Sequence, residues 1–267
     1  MNRLSGRLYL PVLAATAVVL AAGCDVHHDR RASNGHRATI TRNWPASGIA
    51  QVKVFEVSGS ISVEAAQGNE ISLLASARGD LDVKKGVEND GLFVTEVTGD
   101  TLRIGRKEEK RGGFHFFWDR DDVEIDYVLK VPPSIALDVS TVNGRIATRG
   151  TEGATEASTV NGTIDIETAG THELKASTVN GRVKAKFTKA FSGARFNSVN
   201  GGVEAALPTS ASFTVNLSQV NGDFEASFPL SIHSNPGSRR VSGEVNGGQH
   251  ELKIVTVNGD VELARLQ

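Results

Sequence analysis

Apolar and polar residues alternate in short runs through most of this chain. An alternating segment such as Leu174-x-Ala176 precedes a Val-Asn-Gly triplet, and another such as Val183-x-Ala185-x-Phe187 follows it. A period of two places successive side chains on opposite faces, so each run predicts a strand with one buried face. Asn-Gly between two such runs is a strong turn signal, because both residues tolerate positive φ. The pattern therefore predicts many short strands joined by tight turns.

The Val-Asn-Gly triplet is an internal repeat. It occurs seven times, at intervals of 18, 19, 20, 21, 25 and 12 residues. Its asparagines are Asn143, Asn161, Asn180, Asn200, Asn221, Asn246 and Asn258. A flat meander of hairpins would also place Asn-Gly between strands. One turn sequence that recurs once per two strands instead favours a coil repeated along an axis, with its turns stacked.

We therefore predict an all-β fold, a β-solenoid (a β-helix-like stack) of about 19-residue coils. The N-terminal half is expected to be a degenerate version of the same stack, in which Val57-Ser58-Gly59 stands for a Val-Asn-Gly triplet. The final interval of 12 residues and the irregular sequence around Pro236-Gly237 suggest a distorted last coil.

The direction of the asparagine side chains is open at this stage. Counting back by two from Asn180 reaches Thr178 and Ala176 on the apolar face. We therefore favour an inward Asn180 that forms a ladder of stacked side-chain amides. The alternative is a bend at Val179, which would then pack inside while Asn180 caps its own turn. In both cases the triplet belongs to the architecture and is not a binding site.

The N-terminus has the layout of a secretory signal peptide over residues 1–23, with basic residues, an apolar stretch and then small residues. Leu20-Ala21-Ala22-Gly23-Cys24 resembles the bacterial lipobox, which implies that Cys24 is acylated and anchors the chain to a membrane. Asp25 after this cysteine resembles an inner-membrane retention signal and favours the periplasmic face of that membrane. Residues 24–37 are polar and without period, as expected of a flexible tether.

Composition and motifs argue against several classes of function. Lys and Arg number 29 against 31 Asp and Glu, so no basic field predicts a nucleic-acid partner. Signatures of zinc proteases, serine hydrolases and phosphate-binding loops are missing from the sequence. His27, His28 and Asp29 lack a fixed geometry for a metal, and the acidic cluster Asp119 to Asp122 shows no rigid carboxylate pair. We expect no metal, no cofactor and no catalytic residue.

The segment 106–122 interrupts the strand pattern with a charge run, a Gly pair and a concentration of aromatic residues. These aromatic residues are Phe114, Phe116, Phe117 and Trp118. They either close an end of the stack or form an exposed loop that grips a partner, because aromatic anchors dominate contact energies. Our hypothesis is a mixed case, with Trp118 packed against the stack and Phe116 and Phe117 more exposed. This loop is the one partner-binding site that the sequence suggests.

Three segments in this order resemble a known family. They are Gln51-Val52-Lys53-Val54, the strand Val123 to Pro132, and Leu137 to Gly144 with its later copies. The chain resembles the bacterial β-strand-repeat proteins grouped as an adhesin-like family, a domain of unknown function. The resemblance covers about residues 38–264 and is specific for fold because of the repeats. It implies an extracytoplasmic β-helical stack and supplies no catalytic residues.

These observations predict four regions: the signal peptide, the lipidated tether, a degenerate β-repeat half over 38–131 and a regular half over 132–267. The expected function is that of a non-catalytic, lipid-anchored structural or interaction protein of the bacterial cell envelope. Its expected partners are the membrane, through the lipid, and an unknown envelope protein or glycan. An envelope-stress sensor or regulatory partner is the first alternative. A β-helix enzyme that acts on polysaccharide is the second.

Overall fold

The computed structural model describes residues 36–79, 93–106, 123–230 and 240–266. Within these ranges the chain forms twenty strands and no helix. The strands make two ten-stranded sheets, and apolar side chains from both sheets join in a single core. The all-β prediction is confirmed.

The two sheets mix parallel and antiparallel pairs. The first sheet contains, in spatial order, β1 (His36–Pro45), β4 (Glu70–Gly79), β7 (Glu124–Val131), β3 (Ile61–Ala65), β9 (Ile146–Thr151), β11 (Ile164–Thr168), β13 (Val183–Phe187), β15 (Val203–Pro208), β20 (Val261–Leu266) and β17 (Phe224–Ala226). The second contains β18 (Arg240–Val245), β16 (Phe213–Asn221), β19 (His250–Asn258), β14 (Ala194–Asn200), β12 (Leu174–Asn180), β10 (Thr155–Asn161), β8 (Ala136–Asn143), β2 (Gln51–Ser58), β6 (Thr101–Arg106) and β5 (Phe93–Thr98).

Consecutive strands from β8 to β15 form coils that give one strand to each sheet. Each strand pairs in parallel with its equivalents in the neighbouring coils, so that Ile164 lies between Ile146 and Val183. Alternation then buries every second side chain, as in β13, where Val183 and Phe187 face the core. A hairpin meander would have given antiparallel neighbours. The parallel register instead makes a β-solenoid-like stack.

The N-terminal half continues the same stack with parallel strands next to β8 and β9, and with antiparallel strands farther out. β2 and β3 lie beside β8 and β9, with Ser58 opposite Asn143. β6 and β7 extend the two sheets in parallel, and antiparallel strands then follow: β5 in one sheet, β4 and β1 in the other. The antiparallel strands end the stack at this side.

A buried charged network lies in the core near this end. Glu56 is fully buried at the position that Thr141 holds in the next coil. Its carboxylate accepts hydrogen bonds from Arg106 Nε and from the Tyr127 hydroxyl, both at 2.9 Å. Burial first, and then the charge of Glu56, raise the pKa of Tyr127 well above its usual range. These partners are what a buried carboxylate requires.

The last coil differs from its prediction. β19 and β20 are not distorted: Leu252 pairs in register with Ala194 on one side and with Val215 on the other. The irregularity lies in the order of stacking, because this coil is inserted between β14–β15 and β16–β17. The sixth triplet also differs, since Asn246 lies in the turn between β18 and β19 with φ 50°.

Candidate functional site

The stacked Val-Asn-Gly triplets form one edge of the stack, where the chain passes from the second sheet to the first. In five of the triplets, those of Asn143, Asn161, Asn180, Asn200 and Asn258, the Thr or Ser before the valine is the last residue to face the core. Thr178 is buried, and its hydroxyl donates to the carbonyl of Gly162 in the neighbouring coil at 3.3 Å. Val179 and Asn180 both lie outside. The inward asparagine is therefore wrong, and so is the alternative with Val179 inside, because the chain leaves the core face after the threonine.

The predicted ladder of side-chain amides is present, but on the outside of the stack. From Asn161 onward, each Nδ2 donates to the Oδ1 of the preceding asparagine in the stack at 2.8–2.9 Å. The order along the ladder is Asn143, Asn161, Asn180, Asn200, Asn258 and Asn221. The ladder follows the stacking order and not the chain order, and it runs through six coils.

Backbone stacking requires the glycine of the six triplets in the ladder; Gly247 differs, since nothing lies within 4 Å of a Cβ built there. The Gly162 N–H donates to the carbonyl of Asn180 at 2.9 Å, and equivalent bonds join the other turns. A Cβ built on Gly162 would lie 1.8 Å from the Gly144 carbonyl oxygen. Positive φ at the asparagine, the reason that the sequence suggested, does not operate here: among the described residues only Asn246 combines a side chain with positive φ.

Beside the amide ladder runs a stripe of exposed valines. Their exposed fractions are 37–50%. The valines are Val160, Val179, Val199, Val257 and Val220. We call these valines, together with the six asparagines of the ladder, the repeated edge. With strands about 4.8 Å apart, its six coils extend over about 24 Å.

The valines and asparagines of the repeated edge carry only methyl and amide groups, and ionisable side chains lie beside them, since Arg145 and Arg182 directly follow the glycines of two triplets. Within the ladder, an amide uses one of its two N–H donors and one of the two lone pairs on its oxygen. The second N–H and the second lone pair remain for a hydrogen bond to a partner. The outer face of the first sheet is different, because ion pairs such as Lys184–Glu204 at 3.2 Å and Lys186–Glu167 at 3.1 Å cross its strands. Contiguous exposed apolar surface is typical of interaction sites. The repeated edge therefore has the character of a contact surface for an uncharged partner.

A second feature is a concavity of about 480 Å³ on the outer face of the second sheet. Phe55 projects into it with 41% of its surface exposed. Its strand neighbours are Gly105, which has no side chain, and the small Ser140, so neither covers the ring. The ion pair Lys53–Asp138 at 3.1 Å lies in its wall. Sequence reasoning missed Phe55, although it follows the inward Val54 in an alternating strand and so had to point outward.

The other predicted site residues lie outside the described residues. These are Cys24 and the aromatic residues Phe114, Phe116, Phe117 and Trp118. The lipid anchor and the aromatic loop stay predictions. Over the described ranges, no group of three or more His, Cys, Asp and Glu side chains could hold a metal ion. Nor does any helix in that part of the chain have the length and apolar character needed to cross a bilayer.

Fold and edge together define a class of protein: an all-β, solenoid-like stack with one turn sequence repeated along an uncharged edge. The chain belongs to the Toastrack DUF4097 family, a domain of unknown function, whose family model matches residues 29–264. This confirms the resemblance seen in the sequence.

Comparison with solved structures gives only distant similarity. A candidate cell adhesion protein of Clostridium sporogenes is 10% identical, with a TM-score of 0.49; the match covers 86% of this chain and all of that one. A candidate adhesin of Bacteroides fragilis is 9% identical, with a TM-score of 0.31 over 84% of this chain and 96% of its own. A candidate lipid binding protein of Parabacteroides distasonis is 16% identical, with a TM-score of 0.27 over 86% and 97%. A search of curated proteins finds no match.

Proposed function

We propose that this protein is a non-catalytic interaction protein of the bacterial cell envelope, anchored by lipid at Cys24, and that the repeated edge is its contact surface. The observation that carries the proposal is the valine stripe, exposed in five stacked coils beside a ladder of amides. Exposed methyl groups supply apolar contact area, and the amides supply paired donors and acceptors at the same spacing. Together they suit an uncharged surface of an envelope protein or glycan.

The repeated edge is tested by substitutions that introduce charged side chains there and leave the core unchanged. Val179→Lys with Val199→Lys places two cations in the stripe, and both side chains already lie in solvent. The matched control is Val128→Lys, since Val128 is equally exposed but lies on the first sheet. We expect the double variant to lose most of its binding to isolated envelopes, with an unchanged melting temperature. The control is expected to bind as the wild type does.

Pretreatment of the envelopes identifies the partner. Protease treatment removes binding if the partner is a protein, and glycan-degrading enzymes remove it if the partner is a polysaccharide. Wild-type binding by the folded double variant would contradict the assignment of the repeated edge.

The anchor is tested separately. Cys24→Ser should abolish incorporation of a labelled fatty-acid analogue and either leave the precursor uncleaved or release the protein from the membrane. Undiminished label on the Ser variant would exclude the lipobox and leave the proposal for the edge intact.

The aromatic segment is proposed as a second contact. Truncation of a buried aromatic side chain costs about 3–5 kcal/mol, whereas an exposed one costs little. Trp118→Ser is therefore expected to lower the melting temperature by several degrees, while Phe117→Ser leaves it unchanged and weakens binding to envelopes. If Phe117→Ser destabilises the protein as much as Trp118→Ser does, the segment is structural.

A further inference from the structure

The C-terminal coil, residues 250–266, is inserted into the stack out of chain order. After β15 the chain forms β16 and β17, adds β18 antiparallel on the outer side of β16, and then returns to place β19 between β16 and β14. In the first sheet β20 likewise separates β15 from β17. The last coil of the chain therefore fills a slot between two coils that precede it in the sequence, β14–β15 and β16–β17.

The repeated pattern continues through the slot. Asn258 donates to Asn200 at 2.9 Å and accepts from Asn221 at 2.8 Å, so the amide ladder passes through the inserted coil. Inside the slot, the apolar side chains of the coil are buried on both sides. They are Leu252, Ile254, Val261 and Leu263. Contacts of this coil alone add to the repeat: Glu251 accepts from Asn216 Nδ2 at 3.0 Å, and Asp260 accepts from the Asp223 N–H at 2.9 Å. Every copy of the protein carries a segment that makes them.

The neighbours of the slot also match each other. Val215 and Leu217 precede Asn221 by six and four residues, as Ala194 and Phe196 precede Asn200. Strands β14 and β16 consequently carry their core side chains in the same phase. The stack is thus in register with or without the C-terminal coil, which makes this coil a separable unit.

The connection between β18 and the C-terminal coil is short. It runs from Asn246 to Gln249 across the start of β16, where the Ser212 hydroxyl donates to the Asn246 carbonyl at 2.7 Å. Asn246, Gly247 and Gly248 have φ of 50°, 88° and 61°, three successive residues in the left-handed region. Asparagine and glycine tolerate this region, so the connection is limited by its length and not by strain, and a hinge of four residues is short enough to favour exchange of the element that it connects.

We propose that the C-terminal coil exchanges between two copies of this protein, each copy inserting residues 250–266 into the slot of the other. The occupant is a second copy because the slot recognises the register of this repeat, with asparagine facing asparagine and apolar residues facing the core. The exchange is reciprocal, so it closes into a dimer and leaves no open slot. The proposal rests on the fold alone and is independent of the proposed contact surface.

A disulfide between copies tests the exchange. Asn197 and Val255 are directly paired on the outer face of β14 and β19, and paired strand residues lie within the Cα separation that a disulfide allows. One full-length copy carries Asn197→Cys with one tag, and the other carries Val255→Cys with a second tag. The two are co-expressed so that both fold together, and dimers that carry both tags are measured on non-reducing gels.

The matched control is a pair of cysteines that both lie outside the C-terminal coil, so that exchange of this coil does not bring them together. Ser177 and Asn197 are paired on β12 and β14, which belong to neighbouring coils earlier in the chain. Copies with Ser177→Cys and with Asn197→Cys report chance collisions of exposed thiols. Cys24, the one cysteine of the chain, is kept in one set and replaced by Ser in another, so that bonds through Cys24 are recognised.

We expect several-fold more two-tag dimer from the exchange pair than from the control pair. A single chain with both Asn197→Cys and Val255→Cys verifies that the geometry permits the disulfide. If this disulfide does not form, Arg195→Cys and Lys253→Cys, on separate copies, serve as a second exchange pair. Equal yields from the exchange and control pairs would overturn the proposal. So would an intrachain bond in the double variant without any bond between copies.

Discussion

The close stacking of the turns predicts a large effect for a very small substitution. Gly162 follows Asn161, the second asparagine of the ladder, and the Cβ of an alanine there would meet the Gly144 carbonyl oxygen at 1.8 Å. The backbone must move by more than an ångström to reach even a tight contact of 3.0 Å. Because the oxygen belongs to the backbone of the next coil, no side-chain rotation can relieve the clash.

The magnitude follows from the bonds that this movement disturbs. They are the N–H of Gly162 to the Asn180 carbonyl at 2.9 Å, the Thr178 hydroxyl to the Gly162 carbonyl at 3.3 Å, and the amide bond from Asn161 to Asn143 at 2.8 Å. Bonds of this kind contribute about 0.5–1.5 kcal/mol each, so with the steric strain we expect Gly162→Ala to cost about 4 kcal/mol. In a chain of this size that lowers the melting temperature by about 10 °C.

The control separates stacking from backbone conformation. Gly99 has φ 62°, and nothing lies within 4 Å of a Cβ built there, so Gly99→Ala carries only the cost of a left-handed alanine, about 1–2 kcal/mol. Thermal melting followed by circular dichroism, together with urea denaturation, compares the two variants. If Gly162→Ala is no more destabilising than Gly99→Ala, backbone stacking is not the reason for the repeated glycine.

Four further predictions concern the ladder, the repeat and the buried network. Asn180→Asp sets acceptor against acceptor in the amide ladder and should cost about 1–3 kcal/mol in urea denaturation, less at acid pH, where the carboxyl can donate. Deletion of residues 162–180 removes one strand from each sheet, and circular dichroism should show a folded, shorter protein. Deletion of residues 162–170 shifts the strands out of register and should cause aggregation. Equal damage from the two deletions would contradict a modular stack. Glu56→Ala removes the buried acceptor of the Tyr127 hydroxyl and should cost about 3–5 kcal/mol on denaturation. The pKa of Tyr127 is higher in the folded protein than the 10.0 of a free tyrosine. Its contribution to stability is therefore complete below pH 10 and declines progressively as the pH rises above 10 toward the folded pKa. Tyr127→Phe should reduce this alkaline loss of stability in a pH series of melts.

The sequence allowed the repeat and its strands to be predicted because both depend on local pattern. Alternation at Val183 and Phe187 fixes which face of a strand is buried, whatever its neighbours are. The recurrence of one triplet then requires equivalent turns, and equivalent turns stack. The buried Glu56 was not predictable in the same way: its partners Arg106 and Tyr127 lie 50 and 71 residues away in the chain.

At the candidate site, the sequence by itself determined that asparagine amides form a ladder, since identical residues recur in register. Only the tertiary structure decided that Asn180 and Val179 both face solvent, because the path of the chain at a corner depends on the distance between the two sheets. It also decided that the last coil lies between β14 and β16. Every coil carries the same pattern of apolar residues and Asn-Gly, so local sequence cannot rank one stacking order above another. The order depends on how β16, β18 and the turn at Asn246 pack together, and those contacts form only in the folded chain.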